Sequence, residues 1–182
     1  VTSDDYDALL TEEGRITPKY QAFRQVISKY AEVPEVALST EIKRKDYGTL
    51  KVSRKTGLFG NLKNIAEPAA SVYPRSMEKL GQGYGYIMYE SPLKYEGPIE
   101  KIRLWGANDR ANMFVDEKPV LTLYERELLT EYEFESPIQK GAKISILMEH
   151  MGRVNFGPAL AQQRTGNERS VQINGHQPFY WK

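Results

Sequence analysis

Apolar and polar positions follow two different periods along this chain of 182 residues, and the change of period divides it. Near the start, Tyr20, Phe23, Val26, Ile27 and Tyr30 recur at three- and four-residue intervals, the spacing of one helical face. Thr17 stands ahead of them as an N-cap, and Pro18 suits the first helical position, where its missing N–H costs no hydrogen bond. The spacing predicts a helix from Pro18 to about Tyr30, closed somewhere in 29–32 ahead of Pro34. Downstream the period shortens to two. Short runs rich in Val, Ile, Tyr and Phe predict strands at 84–90, 99–104, 111–115, 120–124, 131–135, 144–149 and 170–173. Turn signals separate them: Ser91-Pro92, Gly97-Pro98, Asn108-Asp109, Asp116-Glu117-Lys118-Pro119, Lys140-Gly141 and Asn174-Gly175.

Between helix and strands the pattern is irregular. Residues 35–56 have no sustained period, although Tyr47 to Val52 reads as a short strand. Leu58, Phe59, Leu62 and Ile65 have helical spacing in a segment that stops before Pro68, and 75–80 adds one more helical turn. Gly81-Gln82-Gly83-Tyr84-Gly85 then leads into the first strand, with glycines where a turn reverses or backbone packs closely. The expected fold is mainly β, a β-sandwich or jelly roll like galactose-binding domains, preceded by one α-helix and an irregular linker. The expected organisation is 1–32, a 33–73 linker, and a 74–182 β-domain.

Composition narrows the function classes. Net charge is +1, so nothing points to nucleic acid or to an anionic membrane. The run Lys43-Arg44-Lys45 lacks interleaved aromatics and reads as solvated linker. There is no apolar run long enough to span a bilayer. Cysteine is absent, which excludes a disulfide framework and cysteine-based zinc sites; it leaves the compartment open, with a bacterial cytoplasm favoured. The twelve tyrosines suit both sheet packing and sugar contact, since each joins an apolar ring to a polar tip.

Three stretches carry a resemblance. Thr2-Ser3-Asp4-Asp5-Tyr6-Asp7-Ala8, the run from Gly81 to Tyr89, and Met148-Glu149-His150-Met151-Gly152-Arg153-Val154-Asn155-Phe156-Gly157 are similar, in order, to segments of family 35 glycoside hydrolases, the β-galactosidases. Gly106-Ala107-Asn108-Asp109-Arg110-Ala111, followed by Phe114-Val115-Asp116, resembles that family's hairpin, with Glu117 where glycine is usual. The resemblance implies the end of a (β/α)8 barrel, a linker and a first β-domain, truncated at both ends. It implies hydrolysis of terminal β-galactosides by the parent enzyme, with retention. Tyr6 is implied to line the galactose pocket. Gly83, Tyr84, Gly85, Asp109, Arg110, Glu149, Gly152, Arg153 and Asn155 are implied as structural motif positions. The implied partners are a β-galactoside or galactose, met through the parent barrel, the rest of the parent chain, and a second copy in a homodimer.

The chemistry within the chain is sparse. A retaining glycosidase needs an acid/base and a nucleophile carboxylate about 5 Å apart. The resemblance places both glutamates upstream of Val1. Asn167-Glu168 matches the acid/base dipeptide, but it reads as a polar loop of the β-region with no barrel-like strand before it, so no catalytic role is assigned. Asp4, Asp5 and Asp7 do not make a calcium loop, because Leu9 and Leu10 occupy a ligand and the glycine position. Gly81-x-Gly83-x-Gly85 is no dinucleotide loop, having no strand before it and no helix after it. Two histidines, His150 and His176, give little material for a triad or metal cluster. No cofactor or metal is expected. Glu149 and Arg153 read as an ion pair or loop fastener. The readings that remain are a non-catalytic β-portion of a β-galactosidase, a carbohydrate-binding module, and an interdomain or dimer scaffold.

Overall fold

A computed structural model describes residues 7–35, 45–91, 95–154, 156–158 and 160–182. It divides into two compact units, Val1–Lys55 and Thr56–Lys182. In the first unit, helix α1 spans Pro18–Ile27; the Thr17 hydroxyl accepts from the Tyr20 N–H, and Pro18 opens the first turn. It ends earlier than the apolar spacing predicts, since Ser28 caps it and the next residues form tighter turns, Tyr30 N–H donating to the Ile27 carbonyl. None of its residues is buried, and Phe23, Val26 and Ile27 are about half exposed. The strand expected at Tyr47 to Val52 does not form. Those residues have no ladder partner, and Tyr47, Leu50 and Val52 are exposed. β-propensity without a pairing edge does not hold a strand.

Among its described residues the second unit holds seven strands: β1 (Tyr86–Glu90), β2 (Ile99–Asn108), β3 (Arg110–Val115), β4 (Lys118–Tyr124), β5 (Tyr132–Ile138), β6 (Ile144–Glu149) and β7 (Gly166–Ile173). Each matches an expected strand. They form two antiparallel sheets, ordered β1-β6-β3-β4 and β5-β2-β7. Only the β3–β4 hairpin stays within one sheet; every other connection crosses between them. Inward positions supply the core: Tyr89, Ala111, Met113, Ile146 and Met148 from one sheet, Ile102, Leu104, Val171 and Ile173 from the other. This is the β-sandwich that the alternating pattern predicts.

Residues 56–73, assigned to linker on sequence, lie within this second unit. Helix α2 (Leu62–Ile65) follows a 3₁₀ turn, and Phe59 in that turn meets Phe114 of β3 edge-on at 5.1 Å. Ser71 exchanges both backbone hydrogen bonds with Trp181, at 2.7 and 2.8 Å. Trp181 is almost wholly buried, so the aromatic cluster after Asn174 contributes to the core.

Candidate functional site

The motif positions come from stretches far apart in sequence, and the antiparallel register gathers them at one end of the larger sheet. Tyr86 of β1 and Arg110 of β3 both stand opposite Glu149 of β6. Arg110 Nη1 donates to Glu149 Oε2 at 2.6 Å, and the Tyr86 hydroxyl donates to Oε1 at 3.0 Å. That hydrogen bond to a carboxylate, reinforced by its charge, raises the Tyr86 phenol above its ordinary range. The Arg110 guanidinium also lies over the Tyr124 ring at 5.2 Å.

Asp109 is the corner where the chain leaves one sheet for the other. Its Oδ2 accepts from the Met151 N–H at 2.9 Å and its Oδ1 from Gln163 Nε2 at 3.2 Å. Gln163 clamps the loop further: its Oε1 accepts from the Val154 N–H at 2.6 Å and its Nε2 donates to the Gly152 carbonyl at 3.3 Å. Gly152 has φ +129°, so a side chain there would be strained.

Glu149 and Arg153 do not pair with each other as their proximity in sequence suggested. Arg153 pairs instead with Glu78, and its Nη2 donates to the Gly83 carbonyl at 3.1 Å. Glu78 also accepts from the Thr165 N–H at 3.0 and 3.2 Å. Burial alone would raise the Glu78 carboxyl, but the Arg153 guanidinium and nearby backbone amides outweigh it and hold it below its ordinary range. Gly85 takes φ +96° and its carbonyl accepts from the His150 N–H at 2.9 Å. Gly83 has no such constraint, since nothing lies within 4 Å of where a Cβ would sit.

The same loops expose Tyr84, Met151, Val154 and Phe156. Tyr6 and Asn155 lie outside the described residues. Glu78 and Gln163 complete the network, and sequence reasoning missed both; a lone Glu in a helical turn and a Gln in a polar loop give no signal of a distant partner. Asn167-Glu168 lies in β7 rather than in a loop, with Asn167 buried and Glu168 facing Lys79 at 3.5 Å. Each carboxylate of the network is tied to a guanidinium, a phenol, an amide side chain or a backbone amide. Among the described residues no acidic or histidine cluster could hold a metal ion. What this arrangement does physically is hold residues 81–85, 150–154 and Gln163 together beside the Asp109 corner.

The family model for the first all-beta domain of β-galactosidase matches residues 74–182. The chain belongs to that family. This β-galactosidase domain, with the residues ahead of it, is similar to Beta-galactosidase 8 of Oryza sativa subsp. japonica, 33% identical over 194 residues that cover the whole chain and 29% of that protein. It is similar to the Beta-galactosidase of Xanthomonas manihotis, 32% identical over 183 residues, again the whole chain and 29% of that protein. Against the Beta-galactosidase of Homo sapiens it is 33% identical over 162 residues, 86% of the chain and 23% of that protein. The chain thus spans less than a third of the length of these curated relatives. The resemblance to β-galactosidases of family 35 holds along its length.

Proposed function

We propose that this chain is a non-catalytic portion of a retaining β-galactosidase, and that it supports the catalytic barrel and its active-site wall. One observation carries the reading. The motif residues from β1, the Asp109 corner and the loop after β6 converge at one end, and each carboxylate there is committed to a hydrogen bond or ion pair. A retaining glycosidase needs two carboxylates about 5 Å apart that flank the scissile bond of a sugar, whereas these carboxylates face guanidinium, phenol and amide partners. The network fits a fastener that presents Tyr84, Met151, Val154 and Phe156 to a neighbouring part of the parent protein. The parent hydrolyses terminal β-galactosides, with Tyr6 in its pocket wall and both glutamates elsewhere in the parent. The experiment is a chromogenic β-galactoside assay with a galactose titration, on this chain and on the full-length protein. The expected result is turnover and binding by the full-length protein only. Turnover by the 182-residue chain, abolished by mutating one of its own acids, overturns the reading. Saturable galactose binding by the chain alone would make it a carbohydrate-binding module instead.

A further inference from the structure

Asn174-Gly175 is the only Asn-Gly pair among the seven asparagines of the chain; the other six precede Leu, Ile, Asp, Met, Phe or Glu. An asparagine side chain is attacked by the backbone nitrogen of the residue after it. Glycine leaves that nitrogen unhindered and the backbone free to rotate. Gly175 is exposed and Asn174 partly so. The sequence thus carries one strongly reactive pair, and it sits in a turn that governs its chemistry.

Ile173 and His176 exchange both backbone hydrogen bonds, at 2.8 and 2.9 Å, closing a two-residue hairpin around the pair. Asn174 and Gly175 take φ +48° and +76°, the left-handed pair of a type I′ turn. In that conformation ψ is about +47°, which turns the next peptide nitrogen to the far side of Cα from Cβ. The Gly175 nitrogen therefore points away from the Asn174 amide carbon. The side chain is pinned as well. Its Oδ1 accepts from the Glu100 and Lys101 N–H groups at 2.9 and 3.0 Å, and its Nδ2 donates to the Pro98 carbonyl at 2.8 Å. Two amides on one carbonyl oxygen draw charge onto it, which by itself favours attack at Cγ. Position decides the outcome instead, because a nucleophile held out of reach gains nothing from that polarisation. Bringing the Gly175 nitrogen to Cγ requires the Asn174 ψ to turn by roughly half a circle. That rotation breaks the Ile173–His176 pair.

We propose that Asn174 is a modification site gated by this hairpin: the closed turn keeps it inert, and opening exposes it to loss of its side-chain amide. The Gly175 N–H gives its proton to a solvent base, and the nitrogen bonds to Asn174 Cγ. The Cγ–Nδ2 bond breaks, and the amide nitrogen leaves as ammonia with a proton from water. The product is a cyclic imide, a succinimide, which water then opens. Cleavage between the Gly175 nitrogen and Cγ leaves aspartate. Cleavage between the Gly175 nitrogen and the Asn174 carbonyl carbon leaves isoaspartate, with the chain running through Cβ and Cγ. Aspartate keeps an acceptor for the Glu100 and Lys101 amides. Isoaspartate adds a methylene to the backbone, so the two-residue turn can no longer close. The hairpin at the end of β7 therefore records its own opening irreversibly.

Peptide mapping by mass spectrometry tests this on the 182-residue chain, incubated in mildly alkaline buffer with and without denaturing urea. In urea, Asn174 should convert ahead of the other six asparagines. In buffer alone its conversion should be at least about 100-fold slower, since it waits on local opening. After removal of urea the products should separate by stability. The aspartate form should melt close to an Asn174→Asp variant, and the isoaspartate form well below it. Equal conversion rates with and without urea overturn the proposal, as does another asparagine converting first in the unfolded chain. An isoaspartate form as stable as the aspartate form overturns the claim that the turn cannot close again.

Discussion

The Tyr89 hydroxyl lies where a side chain on Gly166 would have to be. Tyr89 reaches from β1 across to the start of β7, donates to the Arg75 carbonyl and accepts from the Asn167 N–H at 2.9 Å. Gly166 holds φ +92°, and a Cβ there would fall inside the hydroxyl and within 3.3 Å of Ile87 Cγ2. Burial raises the Tyr89 phenol well above its ordinary range, which keeps it a neutral donor at pH 7. Gly166→Ala should destabilise the sandwich by about 2–4 kcal/mol through overpacking and left-handed strain. Tyr89→Phe should also destabilise, leaving the Arg75 carbonyl and Asn167 amide without this partner. The double variant should lose less than the sum of the two, because removing the hydroxyl makes room for the methyl. Urea unfolding of the four proteins checks this; strict additivity would refute the clash.

Glu117 occupies a glycine's conformation. Asp116 and Glu117 have φ +45° and +66° at the β3–β4 hairpin, the left-handed pair of a type I′ turn. Glycine adopts such a conformation at no steric cost, so Glu117 leaves the strain in place. Glu117→Gly should stabilise by about 0.5–1 kcal/mol, raising the melting temperature by about 1–4 °C. Asp116→Gly should not, because Asp116 Oδ1 accepts from the Lys143 N–H at 3.0 Å and that tie would be lost. A lowered melting temperature for Glu117→Gly would count against a strained turn.

The strands were legible because burial on one face writes a period of two, as in Ile144, Ile146 and Met148 of β6. The Asn174-Gly175 turn was legible because its chemistry is local; both residues take positive φ, 48° and 76°. What the sequence hid is what depends on a distant neighbour. Gly166 reads as an ordinary loop glycine until Tyr89 is placed above it. Glu78 and Gln163 acquire their roles only when the segment just ahead of β7 returns beside Glu78 and the Asp109 corner. Tyr47 to Val52 had the composition of a strand but no edge to join. The pairing of Glu149 with Arg110 rather than Arg153 follows from register across β3 and β6, which spacing along one loop cannot reveal.

Glu78 makes the fold acid-sensitive. Its folded carboxyl sits below the usual value of 4.5, so its contribution is fully present above that value and is lost as pH falls through the folded one. Glu78→Gln keeps one acceptor for the Thr165 amide but no charge for Arg153. At pH 7 it should cost about 1–2 kcal/mol. Below pH 4.5 the gap between wild type and variant should close steadily. Thermal melts of both proteins from pH 7 down to the acid limit measure it. A gap that stays constant through the acid range would show that the Glu78–Arg153 pair contributes nothing through charge.

Asn174 does two separate things, and substitutions can divide them. Its backbone takes the left-handed conformation of the turn. Its side chain is a clamp on the start of β2: Oδ1 accepts from the Glu100 and Lys101 N–H groups at 2.9 and 3.0 Å, and Nδ2 donates to the Pro98 carbonyl at 2.8 Å. Asn174→Ala loses the clamp and strains the backbone, and should cost about 2–3 kcal/mol. Asn174→Gly loses the clamp but accepts the backbone, so it should cost about 1 kcal/mol less than alanine. Asn174→Asp keeps the acceptor for both amides, loses the donor to Pro98, and should be the mildest of the three. Gly175→Ala, at φ +76° with open space around it, tests strain alone and should cost about 1 kcal/mol. Urea midpoints rank the four variants. If Asn174→Gly proved as stable as wild type, the three side-chain hydrogen bonds would carry no net stability, and the turn would be held by backbone conformation alone.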